Sequence, residues 1–198
     1  MFGKAAERLT NRLIKNNIIK QEDFDIYQFG IENFIMKACH IVSYLILGIC
    51  FKLVPELLIF LAAFIPLREN SGGYHAKTPL KCYIVSCGTV ITYLCLMRFL
   101  PNDIMEYSSI LALASSLVLF IIIPVESENK PLDETEMAYY KSKAGFLIII
   151  ELALVLIFRL LLWSELSFII ALSLFYELFV ALAGIYTKIY DSDLRHVE

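Results

Sequence analysis

The stretch Leu58–Tyr83, LIFLAAFIPLRENSGGYHAKTPLKCY, decides how the whole chain is read. An apolar run that begins near Val54 stops at Leu67 after about 14 residues, too few to cross a full hydrocarbon core as a straight helix. It gives way at once to arginine, glutamate, asparagine, serine and a Gly72–Gly73 pair, and a second apolar run begins near Cys82. Either the short segment enters a locally thin region, or its polar continuation is held inside protein, because backbone that is not helical survives at membrane depth only when buried or facing a wet cavity.

Working outward, the same alternation of apolar blocks and charged connections fills the chain. Of its 198 residues 59% are hydrophobic and 19% charged, and the mean hydropathy is +0.68. The apolar residues fall in blocks rather than stripes, which excludes an ordinary soluble domain. Six blocks are expected to be helical spans: Phe34–Phe51, Val54–Leu67, Cys82–Leu100, Tyr107–Val125, Ala144–Trp163 and Leu166–Thr187. The expected fold is therefore all-α, a polytopic membrane helix bundle of about six transmembrane segments with the second one short, and residues 1–198 read as a single domain. No cleavable signal pattern is read before the first block. The segment from Ala5 to Phe34 places Leu9, Leu13, Ile18 and Ile19 beside Arg8, Arg12 and Lys15, which suits an amphipathic helix at an anionic interface, or equally a solvated helix that packs on the bundle.

Lysine and arginine set the expected orientation. They gather before the first block, between the second and third, between the fourth and fifth, and after the sixth. If the spans alternate, all four places share a side, and the positive-inside rule makes it cytoplasmic. Both termini and the Arg68–Lys81 connection are thus expected inside the cell, with short outer connections around Lys52, Pro101–Glu106 and Ser164.

Candidate chemistry concentrates in the opening stretch. Of five cysteines, four sit in apolar blocks without distinguishing neighbours, as small buried hydrophobes do. Cys82 differs: it follows Lys77 and Lys81, opens a helix, and has His75 upstream, surroundings that favour a nucleophilic thiolate. Seven residues apart on one straight helix, the two side chains would stand about 10 Å apart, beyond proton transfer. Thr78–Pro79 removes the difficulty, since proline disfavours helix at the residue before it and suits a first helical turn. The third span is thus expected to start near Pro79, with His75 in a loop able to fold back onto Cys82. Gly72 and Gly73 would give that loop freedom and allow a substrate backbone close approach.

The run R-E-N-S-G-G-Y-H-A-K-T-P-L-K-C, the short apolar segment before it, the later E-N-K-P at Glu128–Pro131 and a length near 200 together resemble the accessory gene regulator B family (AgrB) over nearly the whole chain. Members are membrane cysteine endopeptidases of Gram-positive bacteria that process the small propeptide AgrD into a cyclic autoinducing peptide for quorum sensing. The resemblance implies Cys82 as nucleophile, His75 as its base, and Arg68 and Gly73 as supporting residues. Gly72, Lys77 and Lys130 are further supporting candidates. It also implies an AgrD-like propeptide partner, a lipid environment and a homodimer, with no cofactor, no metal and no nucleic acid.

Other readings stay open at this level. Arg68 could bind an acidic propeptide tail or anchor at lipid headgroups; Glu69, Asn70 and Ser71 read as polar loop residues; the loop around Lys130 could grip substrate or only connect two helices. Glu151 and Glu177 lie at comparable depth in the last two spans, with Arg159 nearer the outer end. Buried ionisable groups in a membrane point to polar helix contacts or to an ion or peptide pathway, so a small transporter is the alternative, and a non-enzymatic membrane partner a third. No H-E-x-x-H is present to support a metalloprotease.

Overall fold

A computed structural model describes residues 2–74, 78–126 and 133–195. His75, Lys77, Lys130 and the E-N-K-P sequence lie outside the described residues, as does His196. Among the described residues there are eight α-helices and no strand: α1 Phe2–Lys15, α2 Phe24–Phe51, α3 Val54–Ser71, α4 Pro79–Phe99, α5 Asn102–Met105, α6 Ser108–Ile122, α7 Glu134–Leu160 and α8 Ser164–Arg195. Each of the six expected blocks lies largely within one of α2, α3, α4, α6, α7 and α8. By length and composition α2, α4 and α8 are able to cross a membrane, and α6 is a shorter apolar helix.

Local chemistry sets the helix ends. Lys52 turns left-handed (φ 59°) to close α2, and Pro55 sits in the first turn of α3, where its missing N–H costs nothing. Thr78 caps α4 by accepting the Lys81 N–H at 3.3 Å, and Pro79 is the first helical residue, as the sequence led us to expect. Asp133 and Glu136 form a reciprocal capping box that starts α7 ten residues before its apolar block.

Helix α8 is the axis of the bundle. Its face Phe168–Leu174 is buried. One apolar cluster joins α8 to α6, α7 and the end of α3 through Leu67, Ala112, Leu119, Ile148, Val155 and Leu174. A second joins α8 to α3 and α4 through Leu57, Phe60, Tyr93, Met97 and Ile169. Phe60 stacks on Tyr93 with ring centroids 4.0 Å apart, and the Tyr93 hydroxyl donates to Glu56 O at 2.9 Å. At the end of the bundle far from the Gly72–Gly73 pair, Arg159 bridges Glu106 at 3.0 Å and Ser164 at 2.9 Å, and Ser108 meets Ser167 at 2.8 Å. By contrast α2 buries only Gly48, leaving Phe34, Ile41, Val42, Ile46 and Ile49 outward. In water such a face would be a liability; against acyl chains it costs nothing.

Helix α1 packs on α2 and buries Ala6 and Thr10. Its basic residues Arg8, Arg12 and Lys15 are exposed, an arrangement open to an anionic interface as well as to water.

Two expectations about the short second span are corrected. It does not end at Leu67: α3 continues through Arg68, Glu69, Asn70 and Ser71. Asn70 and Ser71 are not loop residues but buried helical ones, their side chains returning hydrogen bonds to Pro66 O and Leu67 O, each at 2.7 Å. Asn70 and Ser71 are held inside protein while Glu69 stays exposed, and at 18 residues the helix is long enough to reach across most of a hydrocarbon core.

Candidate active site

Beyond Ser71 the chain leaves the helix and is fastened, atom by atom, to two neighbours. Val125 N–H donates to Ser71 O at 2.8 Å and Gly73 N–H to Val125 O at 3.2 Å, making a parallel bridge between Gly72 and Val125. Tyr74 N–H then donates to Val180 O on α8 at 3.0 Å. The Arg68 guanidinium reaches past the helix end and donates to Gly72 O and, at 2.6 Å, to Tyr74 O. Backbone groups that a buried irregular segment would leave unpaired are thus satisfied by its own protein.

This geometry changes the reading of three residues. Arg68 was expected to hold an acidic peptide tail or a lipid headgroup; in the structure its donors are turned onto the backbone four and six residues ahead. Gly72 and Gly73 were expected to make room for a substrate backbone; the backbone that comes close is the protein's own. A Cβ on Gly72 (φ 74°) would lie 2.1 Å from Val125 O, and one on Gly73 (φ 116°) would lie 3.0 Å from Val180 O. Both positions have backbone angles that side chains rarely adopt.

Helix α8 supplies the other half of this strap, and the sequence reading missed it. Glu177, Val180, Ala181 and Gly184 are spaced by three, one and three residues and so line one face of α8. A Cβ on Gly184 would fall 2.5 Å from the Gly73 carbonyl carbon, so only glycine lets the strap lie flat there. Two turns along, Glu177 is wholly buried and its carboxyl is hydrogen-bonded to Ser71 Oγ. The positive charge of Arg68 also acts on Glu177. The available signal was a carboxylate and a glycine seven residues apart in an otherwise apolar helix.

Cys82 stands in the first turn of α4, its N–H bonded to Thr78 O at 3.0 Å, and is half-exposed. The neighbour of α4 at this level is α2: Tyr83 hydroxyl meets Ser43 Oγ, and the His40 ring lies 5.1 Å from that of Tyr83 and 5.7 Å from that of Tyr44. The Tyr44 hydroxyl is hydrogen-bonded to Ser86 of α4. Farther along, α4 comes back to α8, where Tyr176 donates to Thr92 at 3.1 Å. The strap belongs to the α3–α8 side of the site and Cys82 to the α2–α4 side. Along the chain, four peptide steps from Tyr74 to Thr78 limit the distance between those two residues to about 14 Å.

The other cysteines, Cys39, Cys50, Cys87 and Cys95, are free thiols like Cys82. Among the described residues no cluster of three metal-binding side chains is found.

A family model described as accessory gene regulator B matches residues 6–181. Among curated proteins, the chain is 27% identical over 158 residues to AgrB-like protein 2 of Clostridium perfringens strain 13, covering 75% of this chain and 70% of that protein. It is 25% identical over 174 residues to an AgrB-like protein of Clostridium perfringens strain SM101, covering 78% and 79%. With an AgrB-like protein of Clostridium acetobutylicum it shares 28% identity over 135 residues, covering 67% and 63%. No solved structure matches.

Proposed function

The chain belongs to the accessory gene regulator B family, and from that premise we propose that it is a membrane cysteine endopeptidase that trims and cyclises an AgrD-like propeptide. The observation that carries this reading is a half-exposed cysteine in the capped first turn of α4, one short connection away from a segment held rigidly against α8. That connection contains His75.

In the proposed reaction the Cys82 thiolate adds to a peptide carbonyl of the propeptide. Collapse of the adduct breaks the C–N bond, His75 gives its proton to the departing amine, and the acyl group remains on sulfur as a thioester. A cysteine or serine inside the propeptide then attacks the thioester carbonyl, closes a thiolactone or lactone ring and frees Cys82. Water must lose that competition, which favours a site recessed among helices. Arg68, Gly72 and Gly73 support the reaction by fixing the strap; Lys77 and Lys130 are proposed to meet the propeptide. The exposed apolar faces of α2 and α4 suit lipid contact, and a homodimer is part of the same proposal.

The proposed orientation puts the strap, the start of α4 and both termini on the cytoplasmic side of a bacterial cell membrane. Ser71 is unsuitable as a probe because it is buried, whereas the neighbouring Glu69 is exposed and pairs with exposed Lys37, at 3.3 Å. A Glu69→Cys variant is expected to resist a membrane-impermeant thiol reagent in intact cells and to react once they are permeabilised. Efficient labelling from outside would invert the topology.

The test of the proposed pair is His75→Ala. Cleavage in membranes is expected to fall about 10²–10⁴-fold, the range for losing a general acid–base group, while full-length propeptide still co-purifies. Near-full cleavage would remove His75 from its role. The transport alternative drew on Glu151 and Glu177; both accept serine hydroxyls, from Ser173 and Ser71 respectively.

A further inference from the structure

We propose that Glu177, deep in α8, is a positioning residue for the reaction: with Ser71 it forms a buried latch that holds the Arg68-fastened strap, Gly72 to Tyr74, in place against α8. The inference rests on the peptidase reading for its effect on catalysis, and on geometry alone for the latch.

Four observations converge on Glu177. It is wholly buried in a membrane-embedded helix, where an ionisable side chain is costly without a structural or functional return. One carboxyl oxygen is hydrogen-bonded to Ser71 Oγ, at the last helical residue before the strap. The Arg68 charge acts on it, and the same guanidinium holds Gly72 O and Tyr74 O. One turn along α8, Val180 O accepts the Tyr74 N–H, and a second turn on, Gly184 makes room for Gly73. The carboxylate is thus the fixed end of a chain of contacts running Glu177, Ser71 and Arg68, then Gly72 to Tyr74. Among the described residues its second oxygen has no hydrogen-bond partner. Glu151 on α7 and Arg68 at the end of α3 are ionisable neighbours that act on Glu177.

Glu177→Gln separates the parts. It keeps the size and an oxygen for Ser71, so the bundle should assemble, but it replaces the ionisable carboxyl near Arg68 by an amide. Hydrogen–deuterium exchange on full-length protein in nanodiscs reads the latch without any catalysis. The amides of Gly73 and Tyr74 are expected to lose protection by at least about tenfold, with the α6–α7 core unchanged. Cleavage should fall by about 10²-fold, the scale for misplacing a catalytic group by an ångström, while the alkylation rate of Cys82 stays at its wild-type value. If Arg68 and Glu177 act as one unit, Arg68→Gln with Glu177→Gln should cost no more than the worse single change. Ser71→Ala provides a second, smaller variant should Glu177→Gln express poorly, and it is expected to shift exchange in the same direction. Unchanged exchange at Gly73 and Tyr74 in both variants overturns the latch, and so does a double variant whose losses simply multiply. A wild type that cleaves no propeptide overturns the peptidase reading instead, because the exchange measurement decides the latch independently.

Discussion

Cys82→Ser is expected to lower propeptide cleavage at least about 10³-fold while leaving the amount of protein in the membrane unchanged. Serine fits the same half-exposed position in the first turn of α4, so Thr78, Pro79 and the helix they start are undisturbed. What changes is the nucleophile: a hydroxyl is far less ionised than a thiol near neutral pH, and a site built for a thiolate offers it no comparable activation. Cys82→Ala should remove the remainder. The measurement is cleavage of propeptide in membranes beside its co-purification with each variant. Retained cleavage in Cys82→Ala would exclude the acyl-enzyme. Loss of binding together with cleavage would mean that Cys82 shapes the propeptide groove. Comparing Cys82 with Cys39, Cys50, Cys87 and Cys95 by alkylation rate tests whether its reactivity stands out from thiols in the same chain.

The second large effect belongs to Gly72. Alanine there would put a methyl group 2.1 Å from Val125 O, in a backbone conformation (φ 74°, ψ −151°) that is essentially reserved for glycine. The strain alone is of order 1–3 kcal/mol, and a contact that short has to be relieved by moving one of the two backbones. Neither can move alone, because Val125 N–H is bonded to Ser71 O and Gly73 N–H to Val125 O. The Gly72–Val125 bridge should therefore open, releasing Tyr74 from α8 and misaligning whatever follows it. Cleavage is expected to fall by about 10²-fold or more, with a lower yield of folded protein. Gly88→Ala is the control, since a Cβ at Gly88 on α4 meets nothing within 4 Å and alanine is the better helix former there. Equal behaviour of the two variants would show that the strap has no part in activity.

These predictions draw unevenly on sequence and on structure. The all-α membrane architecture was legible because apolar blocks of spanning length leave few alternatives to helices in lipid, and the six expected blocks correspond to α2, α3, α4, α6, α7 and α8. The start of α4 at Pro79 was legible too, since Thr78–Pro79 acts through local sterics and a local cap. The choice of Cys82 rests on its immediate neighbours and on family resemblance, and the Cys82 variants above are its test. The end of α3 was misread because a run of Arg, Glu, Asn and Ser looks like a loop when only local polarity is weighed. Whether such residues are solvated or buried depends on partners more than a hundred residues away, here Glu177 for Ser71.

What the sequence determined by itself, then, are the features fixed by short-range physics: spanning length, the proline-marked helix start and a cysteine beside basic residues. Only the tertiary structure decided what Arg68, Gly72 and Gly73 face. The guanidinium can satisfy peptide carbonyls, carboxylates or phosphates equally well in principle, and a glycine can make room for any backbone. The choice fell to the chain's own strap because α8 brings Val180, Gly184 and Glu177 to the end of α3, and a buried strand of irregular backbone must find hydrogen-bond partners where it lies.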